Sequence, residues 1–117
     1  AERSLGPVHL ETARVLEGFG YHYYGLREFD RALRYFDEAR AMREQIFGAD
    51  HRALGWNGYD RACILALQGK REAALEALRG AVEVGWANPV ILSDRDLASL
   101  RGDPEFEKLV EVVQGRL

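Results

Sequence analysis

Three histidines, one cysteine and a group of carboxylates are the side chains here that could bind a metal or attack a substrate. His9, His22 and His51 could offer imidazole nitrogens to a zinc-type ion, which asks for three or four such ligands around one point. Yet His9 and His51 stand in the matching contexts Leu5-Gly6-Pro7-Val8-His9 and Phe47-Gly48-Ala49-Asp50-His51. The same interval separates Ala32 from Ala74. The two histidines read as equivalent positions of successive repeats and should lie one repeat apart. Cys63 sits mid-helix between Ala62 and Ile64, with no His three or four residues away, which describes a buried, inert thiol rather than a nucleophile. A calcium loop opening at Asp94 would need Gly at its sixth position, where Ser99 stands. Helix capping accounts for most of Asp94, Asp96, Asp103, Glu105 and Glu107 instead. Gly-rich phosphate loops, GxSxG elbows and HExxH pairs are missing from the sequence. The residues predict no catalysis, no metal and no cofactor.

What remains is binding chemistry, concentrated in aromatics. Tyr21-His22-Tyr23-Tyr24 falls on one helix, where successive side chains point several ways. Tyr23 reads as core. Tyr21 and Tyr24 read either as recognition anchors or as packing between repeats, and Trp56 and Tyr59 carry the same two readings. A net charge of −3, from 16 basic and 19 acidic residues, leaves no electrostatic footprint for nucleic acid or an anionic membrane. With 47% hydrophobic and 30% charged residues the composition is globular. No apolar run approaches the ~20 residues that span a bilayer, and a single cysteine suits a reducing, cytoplasmic setting. The missing initiating Met suggests a fragment or a processed chain.

The elements that position these residues follow from spacing. Leu16, Phe19, Gly20 and Tyr23 share one face of a helix expected from about Val8 to Tyr24. Ala32, Phe36 and Ala39 share one face of a second, from Glu28 to Phe47. Gly25 and Leu26 form the turn between them. Gly20 and Ala32 are small where the two helices would cross. The exposed side of the second helix offers Asp30–Arg34, Arg34–Glu38 and Arg40–Glu44 at i,i+4. Gly48 is the expected helix stop and Asp50 the N-cap of a third helix from His51 to Gln68. Gly69 closes it, and a fourth runs from Lys70 to Val84 with Ala74, Leu78 and Ala81 on its inner face. Asn88-Pro89 opens a short turn through Leu92. Ser93 and Asp96 suggest a capping box opening a segment to Leu100. Gly102-Asp103-Pro104 then starts a last helix with the apolar stripe Phe106, Leu109, Val110 and Val113.

The pattern L-x2-F-G-x2-Y followed by A-x3-F-x2-A resembles the tetratricopeptide repeat (TPR) signature. The 42-residue period and the Gly-x2-His linkers resemble the kinesin-light-chain type found in bacterial proteins. The stretch Ser93 to Phe106 resembles a common bacterial TPR ending. The resemblance implies an all-α fold, a right-handed solenoid of stacked antiparallel helix pairs with a C-terminal capping helix. Within a single domain of residues 1–117, residues 1–7 would be the tail of a preceding repeat, 8–48 repeat one, 49–86 repeat two, and 87–117 short turns and the cap. Repeat two is a looser match, with Gly58 where repeat one has Leu16 and Arg61 where it has Phe19. Trp56 and Tyr59 would fill the space that Gly58 leaves.

By the same resemblance the chain would bind a peptide or protein segment along a concave groove. The matching positions are Arg14, Glu17, Gly18, Tyr21 and Tyr24 in repeat one, and Trp56, Tyr59, Asp60, Cys63 and Ala66 in repeat two. Glu17 and Tyr21 replace the Lys/Asn clamp that holds a partner's C-terminal carboxylate, so the aromatics suit an extended segment with apolar or basic anchors. An alternative is a structural spacer or self-association region of a larger bacterial regulatory protein, pairing through Leu5, Val15 or Phe19.

Overall fold

The computed structural model describes residues 6–117, with side chains from residue 9 onward. Of the tail expected at residues 1–7, residues 1–5 lie outside the described residues, as does the contact suggested for Leu5, while Gly6 and Pro7 begin the first helix. All regular structure among the described residues is helical, and the chain divides into two compact units, residues 1–54 and 55–117. No helix among the described residues is long and apolar enough to cross a membrane.

The first unit is a hairpin of α1 (Gly6–Gly25) and α2 (Phe29–Phe47). The start of α1 lies two residues before Val8, because proline is tolerated in a helix's first turn, where its missing N–H has no intrahelical acceptor to lose. Ala13, Ala32, Phe36 and Ala39 are wholly buried. The crossing is tight at Gly20, where an added Cβ would come within 2.9 Å of Phe36 Cε2. Glycine is required there by the phenylalanine opposite. Phe19 departs from the expected core face: it is half-exposed and stacks on Tyr35 at 5.4 Å between centroids. Phe36 already fills the space beside Gly20, so the ring of Phe19 is displaced to the rim.

The chain reverses in a Schellman turn. Glu28 N–H donates to Tyr23 O at 2.9 Å and Arg27 N–H to Tyr24 O at 3.0 Å, satisfying carbonyls that the helix end leaves open. The left-handed corner is Arg27, with φ 63°; Gly25 remains helical. After α2, Gly48 adopts φ 90° and donates its N–H to Glu44 O at 2.8 Å. The next helix does not begin at His51. A 3-10 turn, Arg52–Leu54, comes first, and His51 rather than Asp50 caps it, its Nδ1 accepting the Ala53 N–H at 2.9 Å. The imidazole is held in reach by stacking on Phe47 at 4.7 Å.

The second unit pairs α3 (Gly55–Leu67) with α4 (Arg71–Glu83). Ala74, Leu78 and Ala81 are buried on the inner face of α4. Gly58 leaves no space to fill: its Cβ would stand 3.1 Å from Ala81 Cβ and 3.4 Å from Ala77 O. The two backbones approach there, and Trp56 and Tyr59 pack elsewhere. Two 3-10 segments follow, Pro89–Leu92 and Arg95–Leu100, then α5 (Pro104–Arg116). The Arg95–Leu100 segment lies against α3 and α5 lies against α4, burying Leu97, Leu100, Phe106, Val110 and Val113.

Local caps set these boundaries. Asn88 Oδ1 accepts the Val90 N–H at 2.9 Å, with Pro89 at the first helical position. Asp103 accepts from Glu105 and Phe106 N–H ahead of α5. Partial burial opposes ionisation of Asp103, yet the Phe106 N–H, the Arg71 guanidinium and the Glu105 N–H hold its carboxyl below the usual carboxylate range. Asp94, not Ser93, caps Arg95–Leu100, its Oδ1 accepting the Asp96 N–H at 3.0 Å. Arginines tie the C-terminal segment down: Arg71 pairs with Asp103, Arg79 with Glu105, and Arg116 donates to Val82 O and Trp86 O near the end of α4.

Candidate functional site

In the first unit the groove-matching residues all project from α1, but they are not equivalent. Arg14 is exposed, in a loose pair with Glu11 at 3.4 Å. Gly18 is exposed. Tyr21 is 51% exposed with its ring edge-on to Phe36 at 5.1 Å, so a core residue fixes the back of a surface residue. Tyr24 is half-buried, edge-on to Phe29 at 6.4 Å. Glu17 is turned inward to a bidentate pair with Arg43, at 2.7 and 2.8 Å. A two-bond guanidinium–carboxylate fork of this kind is among the stronger and more directional side-chain contacts.

The groove pattern does not include Arg43, although the sequence holds a signal for it. Arg43 lies seven residues after Phe36 and four after Ala39, on the inward face of α2. A charge at such a position needs a partner of opposite sign, and Glu17 is that partner.

In the second unit only Trp56 of the matching set is open, at 51% exposed. Its ring meets Tyr59 at 5.8 Å and Trp86 at 5.5 Å, both near perpendicular. Tyr59 and Cys63 are each 2% exposed, and Asp60 and Ala66 are buried beside them in sequence. Tyr59 lies flat on Trp86 at 4.3 Å and donates its hydroxyl to Asp94 Oδ2 at 2.6 Å. Cys63 Sγ reaches the same oxygen at 3.6 Å. Burial and the bond to Asp94 push the Tyr59 phenol far above its ordinary value. Burial, with the Asp94 charge adding to it, pushes the Cys63 thiol up as well. Neither group is ionised near neutrality, so the trio is a lock that holds the Asp94 segment on α3.

Trp86 and Asp94 are the members that the sequence does not disclose. Trp86 follows Gly85, which has φ 101°, and its N–H donates to Ala81 O at 3.0 Å. An apolar residue just past a left-handed glycine is the position that folds back on its own helix, and that is the available signal. Asp94 offers none, since its partners Tyr59 and Cys63 belong to a distant helix. As for metals, no cluster of three or more His, Cys, Asp or Glu side chains is placed to hold an ion among the described residues.

Two helical hairpins with small residues at each crossing, the second reproducing the first at a fixed interval, define an α-helical repeat protein. The tetratricopeptide repeat family model matches residues 11–84, and the chain belongs to that family. Tetratricopeptide repeats generally mediate protein–protein interaction and are typically not catalytic. No curated protein and no solved structure matches the chain.

Proposed function

We propose that this chain is a binding module that holds an extended protein segment against its first helices, with no reaction of its own. One observation carries the reading. Each groove-matching set keeps one aromatic half-open and braced from behind, Tyr21 by Phe36 and Trp56 by Trp86. Aromatics already held in place give a partner large contact area with little further loss of freedom. Glu17 is engaged by Arg43 and Asp94 by Tyr59, which favours apolar anchors over basic ones. Arg14, Tyr21, Tyr24 and Trp56 would touch the segment. Glu17, Tyr59, Asp60 and Cys63 would support them from beneath.

The same reading makes the chain one cytoplasmic domain of the bacterial kinesin-light-chain type, a solenoid with repeats at 8–48 and 49–86. Residues 87–117 would end in α5 as a cap, a role supported by the burial of Phe106, Val110 and Val113. The test is selection of ligands from a displayed library of extended peptides, followed by calorimetry. Tyr21→Ala and Trp56→Ala should each weaken a selected peptide about tenfold or more. If both variants fold and bind unchanged, the groove reading fails. The alternative, a self-association region of a larger regulatory protein, is favoured by Val15 and Phe19 standing exposed on α1.

A further inference from the structure

The three 3-10 segments open on the same local bond, a side chain that accepts the backbone N–H two residues on. Asn88 Oδ1 accepts from Val90 and Asp94 Oδ1 from Asp96. At the segment Arg52–Leu54 the acceptor is instead a ring nitrogen, His51 Nδ1, which takes the Ala53 N–H at 2.9 Å. The difference is chemical. The amide and the carboxylate oxygens accept at neutral pH and in mild acid alike, whereas a ring nitrogen accepts only while it carries no proton. An imidazolium has N–H groups at both positions and accepts nothing. The bond to Ala53 therefore requires the neutral ring, with its hydrogen on Nε2.

The surroundings let a proton arrive and give the cation no reason to leave. His51 is exposed, so water reaches the ring without any opening of the fold. Its stack on Phe47, 4.7 Å between centroids and 21° between planes, suits a cation as well as a neutral ring. Of the charged side chains nearby, Asp50 and Arg52 flank it in the chain, exposed and opposite in sign. On α2, against which the Arg52–Leu54 turn packs, Glu44 lies 4.0 Å from Arg40, and Arg43 is held in the fork with Glu17. The other two histidines carry no such bond: His9 lies within α1 with Nδ1 lacking a partner among the described residues, and His22 is edge-on to Tyr23.

We infer that His51 is a proton-operated cap. The neutral ring closes the turn that leads out of the first hairpin, and protonation in mild acid, where imidazoles take up a proton, sets one N–H against another and releases Ala53. The remaining bond of the turn, from the Leu54 N–H to His51 O at 3.0 Å, carries no titrating group. Leu54 itself is 2% exposed, so the released segment ends at a core side chain. The inference concerns this turn and stands apart from the groove reading; either can fail while the other holds.

The test is NMR of the whole chain between pH 5 and pH 8, following the ring nitrogens of His51 and the solvent exchange of the Ala53 amide. At pH 8 the ring should be the neutral form with hydrogen on Nε2. The Ala53 amide should then exchange about fivefold more slowly than in His51→Ala. At pH 5 the two chains should exchange alike. His51→Asn, which copies the cap at Asn88, should keep Ala53 protected at both values. Comparing chains at one pH cancels the intrinsic pH dependence of exchange. The inference is overturned if the protection of Ala53 relative to His51→Asn is the same at pH 5 and pH 8, or if His51→Ala leaves the exchange unchanged. Hydrogen on Nδ1 at pH 8 overturns it as well, and that reading is taken on the unaltered chain and needs no variant to fold.

Discussion

The α1–α2 hairpin and the α3–α4 hairpin turn on the same backbone bonds and fill the interior differently. Glu28 to Tyr23, Arg27 to Tyr24 and Leu26 to His22 recur, one repeat on, as Lys70 to Leu65, Gly69 to Ala66 and Gln68 to Ile64. The corner residue is left-handed in both, with φ 63° at Arg27 and 77° at Gly69. Inside, Gly20 faces Phe36 in the first hairpin, while Ala62 and Leu78 hold the equivalent positions in the second and are equally buried. A methyl added on one helix is offset by a smaller side chain on the other. Where repeat one places Glu17, bonded to Arg43, repeat two places Tyr59, bonded to Asp94. The comparison teaches that the turn and the summed volume at the crossing are kept, while the chemistry around them varies.

The largest expected effect comes from emptying one interior. Phe36→Ala should cost about 3–5 kcal/mol in denaturant unfolding, and Leu78→Ala about 2–5 kcal/mol. Exchanging volumes is a sharper trial of the comparison. Gly20→Ala should overpack against Phe36 and cost about 1–3 kcal/mol, and Phe36→Leu alone should leave a small cavity. Together they install the repeat-two pair in repeat one, and the double variant should lose clearly less than the sum of the singles. Strict additivity would break the volume argument.

Alkaline stability should separate the Tyr59 lock from the Glu17–Arg43 pair. Tyr59 and Cys63 are raised in the folded chain above ordinary values of 10.0 and 9.0. Above those values the unfolded chain releases protons that the folded chain keeps, so stability is full at neutral pH and falls as pH rises. The slope should reach about 1.4 kcal/mol per pH unit for each group. Urea midpoints between pH 8 and 11 test this, and Tyr59→Phe should remove the share that begins near pH 10. A midpoint that climbs with pH would contradict the assignment. The smallest effect lies at the corner: Arg27→Gly should stabilise by about 1 kcal/mol or less, because relief of the left-handed strain is partly offset by glycine's looser unfolded state. Gly69→Ala should act in the opposite direction, and both are read from the thermal midpoint.

Both hairpins can be read from spacing, because Ala32-Phe36-Ala39 and Ala74-Leu78-Ala81 repeat at three and four residues, and that period is the helix's own. Caps with one strong candidate, Asn88-Pro89 and Asp103-Pro104, are equally legible. Where two adjacent residues could cap, local pattern selects the wrong one: His51 displaces Asp50, and Asp94 displaces Ser93. Each winner has a second contact that fixes its side chain, Phe47 under His51 and Tyr59 on Asp94. Gly58 reads as a gap, since a missing side chain looks the same in sequence whether it leaves space or lets a backbone in.

The order of residues by itself determined the helices, their small crossing residues and the 42-residue period, because all of these depend on neighbours within one or two turns. Only the tertiary structure decided that Glu17 turns inward, that Tyr59 and Cys63 are sealed under Trp86 and Asp94, and that Phe19 stands at the surface. Each of those outcomes hangs on a partner supplied by a different helix or segment, and no local period records whether that partner arrives.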